Sequence, residues 1–385
     1  MIYLDNAATS WPKPPCVAEE MVQFMERVGA SPGRSAHRLS VDSGRLLYET
    51  REAVADLFGA ADPFSVCFTL NVTEALNAVL YGILRPGMHV VTSGMEHNSM
   101  MRPLRALERE GVEVSAVSCK KDGRLDAADI GAAIRSNTVL LAINHASNVV
   151  GTIQPIAEFG AIARRRGILL LVDAAQSAGA VAIDMGRDGI DLLAFTGHKS
   201  LLGPTGTGGI IVGDRVDPQR IKPLKRGGTG SNSEHEEQPD FLPDMLESGT
   251  PNMVGLVGLR AALGWIKDRS IDVIREREKK LTQRMIEGLS AIPGVTVYGT
   301  RDAALQTGTV SFNISGMMTS TVGLLLDEEY DIMCRVGLHC APSAHRTVGT
   351  FPGGSVRFAL GPFTTEDEID TAVEAVGEVA RRGMK

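Results

Sequence analysis

The chain has 385 residues, 43% of them hydrophobic and 22% charged, with a net charge of −7. That length predicts two or three domains with a sizeable core, in the balance usual for a globular enzyme. No basic block offers a nucleic-acid phosphate footprint, no apolar run approaches the ~20 residues of a membrane span, and the opening MIYLDNAATS lacks the basic region and long apolar stretch of a secretion signal. A cytoplasmic location is the expectation. The five cysteines, Cys16, Cys67, Cys119, Cys334 and Cys340, are scattered and odd in number. That favours reduced thiols over a disulfide framework or a zinc ribbon.

In chain order, SVCFTL (65–70) reads as a strand and TEALNAVLYGIL (73–84) as a helix with apolar residues at helical spacing. HVVTSG (89–94) is a strand, and MMRPLRALEREG (100–111) a helix closed by glycine. VEVSAVS and VLLAINHAS (139–147) are strands, PIAEFGAIARRRG (155–167) a helix, and ILLLVDAAQ (168–176) a buried strand with a polar end. Leu192–Phe195 and GIIVG (209–213) lie so close in sequence that they are expected to pair antiparallel. The acidic stretch 230–245 is the candidate flexible loop. From about 256 the rhythm changes to long helical stretches, then separated strands, then a last helix over 364–383 opening on threonine and acids. The βαβα part predicts a mostly parallel sheet with helices on both faces. The expected division is a large α/β domain over 15–255 and a smaller α+β domain from 1–14 and 256–385.

Ligands of open α/β sheets bind outside the carboxyl ends of the strands. Those ends collect Asn71, Val72, Thr73 and Glu74; Glu96, His97 and Asn98; His145, Ser147 and Asn148; Asp173 and Gln176; and Thr196, His198 and Lys199. Each has a plainer reading alone, as a cap, a turn residue or a packed histidine; their convergence is the signal. Lys199 can form an imine with an aldehyde cofactor. Pyridoxal 5'-phosphate asks for such a lysine, an acid beside its ring nitrogen and a phosphate cradle. Asp173 can keep the ring nitrogen protonated, and His97 can stack on the ring. The turn at 71–73, opening a helix, offers N–H groups and the helix dipole to an anion, with Thr196 and His198 completing the cradle. A dinucleotide-binding dehydrogenase is excluded because no GxGxxG follows the first strand. Zinc catalysis is excluded because no second ligand pair matches His339 and Cys340.

The motifs YLDNAATS (3–10), FTLNVTEALN (68–77), MEHNS (95–99), HASNVVGT (145–152), VDAAQSAG (172–179), FTGHKSLLGPTGTG (195–208), ESGTPNM (247–253), VGLHCAP (336–342) and VRFALGPFTTEDEID (356–370) run end to end. Through them the chain resembles the class V aminotransferase-like pyridoxal-phosphate enzymes, specifically cysteine desulfurases and selenocysteine lyases. The resemblance implies fold type I of these enzymes: a large domain on a mostly parallel mixed sheet and a smaller α+β domain. It implies that Lys199 carries the cofactor imine, Asp173 pairs with the ring nitrogen, Gln176 bonds the phenolic oxygen and His97 stacks. Val72, Thr73, Thr196 and His198 would hold the phosphate, joined by Thr250 from a partner subunit of a homodimer with shared sites. Asn148 and Arg357 would bind the amino-acid substrate, a task suited to the fork of a guanidinium. His37, in GRSAHRLS, would enter the neighbouring active site. The family's usual Gly-Thr-Thr-Glu is here Asn71-Val72-Thr73-Glu74, which removes one hydroxyl and one glycine from the phosphate turn.

Cys340 stands in Gly337-Leu338-His339-Cys340-Ala341-Pro342, which reads as a turn. The plain reading is a small buried hydrophobe. The other is a thiolate favoured by His339 beside it and Arg335 nearby. The resemblance makes Cys340 the sulfur-accepting cysteine, in the short form of the type II, selenocysteine-lyase-like branch. The implied activity is removal of sulfur from L-cysteine, giving L-alanine and a persulfide on Cys340. Selenocysteine lyase and another class V lyase or aminotransferase remain the alternatives. The segment 341–354 would form a mobile lid at a surface for a sulfur-acceptor protein.

Overall fold

The apolar runs become a seven-stranded sheet in the computed structural model, which describes residues 1–33 and 37–383. Across the sheet the order is Val66–Thr69, Gly208–Val212, Leu192–Thr196, Leu169–Asp173, Thr138–Asn144, His89–Ser93 and Glu113–Val117. Gly208–Val212 runs antiparallel to both neighbours, and the other pairings are parallel. Side chains alternate between faces along a strand, and both faces are buried here. Leu170 and Val172 enter one core with Leu193 and Phe195, while Leu171 enters the other with Leu192 and Ala194. That is why these strands read as continuous apolar runs.

Two glycines let loops close on the strand ends. A Cβ at Gly208 would lie 2.8 Å from the Asn71 Cα, so glycine admits the 71–73 turn against the sheet. Gly179, at φ +85°, brings the segment after Asp173 against the backbone of Ser200, where a Cβ would stand 2.3 Å from the carbonyl oxygen.

The helix Met253–Arg269 packs on Pro15–Arg27 and Arg38–Phe58, and its buried residues join the core of the large sheet. The expected boundary at 255 therefore falls inside a helix of the large domain, and we place the junction at Ser270. The smaller domain pairs four antiparallel strands in the order Arg335–Gly337, Ser355–Ala359, Thr309–Ile314 and Val295–Tyr298. Helices Ile271–Ser290, Thr319–Tyr330 and Glu366–Gly383 cover them. The N-terminal strand Ile2–Tyr3 pairs in parallel with Ile332–Met333, and Asp5 bridges Ala359. Before the last helix, the Thr365 hydroxyl accepts the Glu368 N–H at 3.2 Å while the Glu368 carboxylate accepts the Thr365 N–H at 2.8 Å. This is the reciprocal cap expected from the sequence. Residues 221–252 form neither helix nor strand. No described helix is long and apolar enough to cross a membrane.

Candidate active site

At the carboxyl ends of the parallel strands lies a cavity of about 290 Å³. Its walls include Asn71, Val72, Thr73, His97, Asn148, Asp173, Gln176, Thr196, His198 and Lys199, all singled out from the sequence, together with Ser99 and Asn144. Strand register brings them together: Asn144 and Asp173 are direct partners on adjacent strands, and Asp173 pairs with Ala194 two residues before Thr196.

Burial pushes the Lys199 amine down to about 8; Asp173 opposes the shift, and Arg357 and Arg335 add to it. Burial likewise pushes Asp173 up, against a 2.9 Å bond from the Ala175 N–H and the charge of Lys199. The His97 Nδ1 accepts the Ser99 N–H at 3.0 Å and caps the helix Asn98–Arg109. Burial, then Lys199, pushes this imidazole down to about 4, so it is neutral with its proton on Nε2. Asn71 caps Val72–Ile83 through a 3.0 Å bond from the Glu74 N–H. The cap leaves the first N–H groups of that helix for an anion. The asparagine standing where the resemblance has glycine thus serves as the helix cap.

The residues fit a flat, phosphorylated aldehyde. His198 Nδ1, Asn148 Oδ1 and Asn144 Oδ1 are buried without partners among the described residues. Buried polar atoms rarely stay unpaired, so a polar ligand belongs against them. The Gln176 amide donates to the Ala7 carbonyl at 3.0 Å, which orients its oxygen and second N–H. The Thr196 hydroxyl makes a 3.5 Å contact with the Thr207 carbonyl.

Cys340 is exposed at the edge of this region. Its turn is tied to the cavity at two carbonyls: Asn148 Nδ2 donates to His339 O at 2.7 Å, and the Asn98 N–H donates to Cys340 O at 2.8 Å. Gly337, His339 and Cys340 all have positive φ, at +101°, +47° and +56°. One expectation fails. His339 is buried and pushed down to about 2, first by burial and then by Arg357, so it is neutral and brings no positive charge to the thiol. The segment 341–354 holds the helix Pro342–Val348, with Ala344, His345 and Val348 buried.

Across all 371 residues from 2 to 372, the chain matches the family model described as aminotransferase class-V. The chain belongs to the class-V aminotransferase family. It is 36% identical to a probable cysteine desulfurase of Methanothermobacter thermautotrophicus, over 99% of this chain and 95% of that one. It is 34% identical to the cysteine desulfurase IscS of Escherichia coli, over 97% and 91%. Its fold superposes on the apo cysteine desulfurase of Thermococcus onnurineus with a TM-score of 0.93 at 33% identity, over 99% and 95% of the two chains. The cysteine desulfurase CsdA of Escherichia coli gives 0.86 at 29% identity, over 99% and 94%.

Four of the residues drawn from the family resemblance, Cys340, Arg357, Thr250 and His37, are not among those lining the cavity in this class-V chain. Thr250 is exposed beside Gly249 and Pro251, and lines a separate hollow with Glu74 and Lys225. His37 is exposed and caps the helix Arg38–Phe58; residues 34–36 of its motif lie outside the described residues. Arg357 is buried, held by Asn148 O at 2.9 Å and by Asp5 at 2.8 Å. Sequence reasoning assigned no role to Glu96 or Asp5. Glu96, next to His97 in the chain, is buried, accepts from Ser93 Oγ at 2.6 Å and from the Asn144 N–H at 3.1 Å, and is pushed up to about 8 by burial. The available signals were their motifs, MEHNS and YLDNAATS.

Proposed function

We propose that the chain is a cysteine desulfurase that takes sulfur from L-cysteine, releases L-alanine and carries the sulfur as a persulfide on Cys340. One observation carries the reading: an exposed cysteine on a strained turn, bonded through two carbonyls to the elements that line a lysine–aspartate cavity. An aminotransferase has no use for that thiol.

Pyridoxal 5'-phosphate would supply an electron sink for the pair left when the substrate Cα proton departs. The N–H groups at Val72 and Thr73, with Thr196 and His198, would bind its phosphate, and Asp173 would hold a proton at its ring nitrogen. His97, neutral and fixed by its cap, would cover the ring face. Lys199 Nζ, with its affinity for protons lowered toward neutrality, is suited to take up and return the Cα proton. Arg357 and Asn148 would hold the substrate carboxylate. Cys340 Sγ would then attack the substrate sulfur, forming the S–S bond as the carbon–sulfur bond breaks. Because Thr250 and His37 are exposed and outside the cavity, the same reading gives them to the site of a second copy in a homodimer. The exposed thiol suits onward transfer to an acceptor protein.

The test is product analysis of the purified holoenzyme with L-cysteine and, in parallel, L-selenocysteine. The expected result is equal alanine and sulfide when a thiol reductant is present, and alanine with one added sulfur atom on the Cys340 peptide when it is left out. Keto-acid formation without sulfur on Cys340 would overturn it, and turnover of L-selenocysteine alone would assign the lyase.

A further inference from the structure

Arg335 and Arg357 stand directly opposite each other on adjacent antiparallel strands. Like charges in that register repel. Arg357 is only 2% exposed, and a charge so buried needs a counter-charge. Asp5 provides it from the other end of the sequence. Its Oδ1 accepts from Arg357 Nη2 at 2.8 Å, and its Oδ2 lies 3.7 Å from Arg335 Nη1. The N-terminal segment brings it there by bridging Ala359, two residues beyond Arg357 on the same strand. Arg357 Nη1 donates to the Asn148 carbonyl at 2.9 Å. Arg357 Nε is buried and unpaired among the described residues. The guanidinium is thus held through both Nη atoms, with its Nε–H unpaired. Two arginines and one aspartate leave one net positive charge, which matches a single carboxylate.

We propose that Asp5 is a positioning residue for substrate recognition: lodged between two opposed arginines, it cancels their repulsion and fixes the Arg357 guanidinium so that its Nε–H serves the substrate carboxylate. The proposal rests on the reading of Arg357 as the carboxylate-binding group. It differs from a merely structural role for Asp5 in what Arg335 does. If Asp5 acts by cancelling the repulsion, removing Arg335 repairs the loss of Asp5; if Asp5 only braces the N-terminal segment, it does not.

The experiment measures KM and kcat of the holoenzyme with L-cysteine for Asp5→Asn, Arg335→Gln, the double variant and Arg357→Gln, with melting of the cofactor-free proteins. Asp5→Asn is expected to raise KM roughly tenfold, with the smaller share of the loss in kcat. Adding Arg335→Gln returns KM to within about threefold of the parent, a coupling that independent sites do not show. The melting temperature falls and recovers in the same order. A KM that is unchanged or lower in Asp5→Asn overturns the proposal, as does a double variant no better than Asp5→Asn in either measurement. An unchanged KM in Arg357→Gln removes the carboxylate reading and this proposal together. A raised KM there with none in Asp5→Asn removes this proposal alone.

Discussion

Lys199 and Cys340 each follow a histidine, and burial pushes both histidines down, His198 to about 4 and His339 to about 2, so neither adds charge. Beyond that the two turns are built oppositely. The lysine turn closes a central strand, and its His198 carbonyl receives the Ser10 N–H at 3.0 Å, the Thr9 hydroxyl at 3.1 Å and the Lys13 ammonium at 2.8 Å. The cysteine turn follows the three-residue edge strand Arg335–Gly337, exposes Cys340, and puts two non-glycine residues in left-handed conformation. An amine that must lose its proton near neutral pH needs a dry, fixed place, because burial is what lowers it. A thiol that hands an atom to another molecule needs reach. In the proposed function, the contrast separates proton transfer from sulfur transfer.

The largest effects test that separation. Lys199→Ala should remove the visible absorbance of the cofactor-bound protein and lower turnover by at least ~10³-fold. Cys340→Ala should keep that absorbance and lose sulfide release. Loss of cofactor colour in Cys340→Ala would mean that the two turns are one unit, and the contrast would break.

The lysine turn was legible in the sequence and the cysteine turn only half so, for physical reasons. Apolar runs ending in polar residues are local patterns, and the sheet order that unites Asp173 with Lys199 follows from the βαβ rule. The antiparallel pairing of Leu192–Thr196 with Gly208–Val212 was readable from their short separation. Burial is not local. Nothing in VGLHCAP says that His339 is dry and therefore neutral, and the expectation of a cation beside Cys340 failed on that point. Asp5 and Arg357 meet across 352 residues, beyond any spacing rule. The boundary was misplaced because periodicity marks the apolar face of Met253–Arg269 without saying which domain it meets.

A second test uses the dryness of the lysine. Folding lowers Lys199 from 10.5 to about 8, so between those values the unfolded chain binds more protons than the folded one. Stability of the cofactor-free protein should then rise with pH through this window. Below it the cost is full, up to about 3 kcal/mol at ~1.36 kcal/mol per unit. Lys199→Met should melt higher at neutral pH and lose that slope. Equal slopes in parent and variant between pH 8 and 10.5 would place the amine in water.

Glu96 gives an effect of opposite sign in a separate window. Its raised value makes its contribution present in acid and lost as pH rises from about 4.5 to about 8. Glu96→Gln resembles the protonated side chain and should flatten that fall at little cost in neutral buffer. Glu96→Ala strands Ser93 Oγ and the Asn144 N–H, for roughly 2 kcal/mol. Unfolding by denaturant at pH 5 and pH 8 checks both, and a Glu96→Ala variant as stable as the parent would show the carboxyl to be dispensable.

The smallest effect is the sharpest probe of the cysteine turn. A left-handed residue with a Cβ costs about 1–2 kcal/mol, and alanine carries the same Cβ, so Cys340→Ala should leave stability unchanged. Glycine relieves the strain but adds freedom to the unfolded chain, worth about 0.5–1 kcal/mol. The net gain for Cys340→Gly is therefore roughly 0.5 kcal/mol, positive because strain exceeds entropy. His339, at φ +47°, is a poorer place to ask, since its ring also bonds Ser355 at 3.1 Å. The Cys340 side chain is exposed, so little packing is lost with it. A Cys340→Gly protein that unfolds before Cys340→Ala would show that the turn holds no strain, and that exposure alone distinguishes the thiol from the amine.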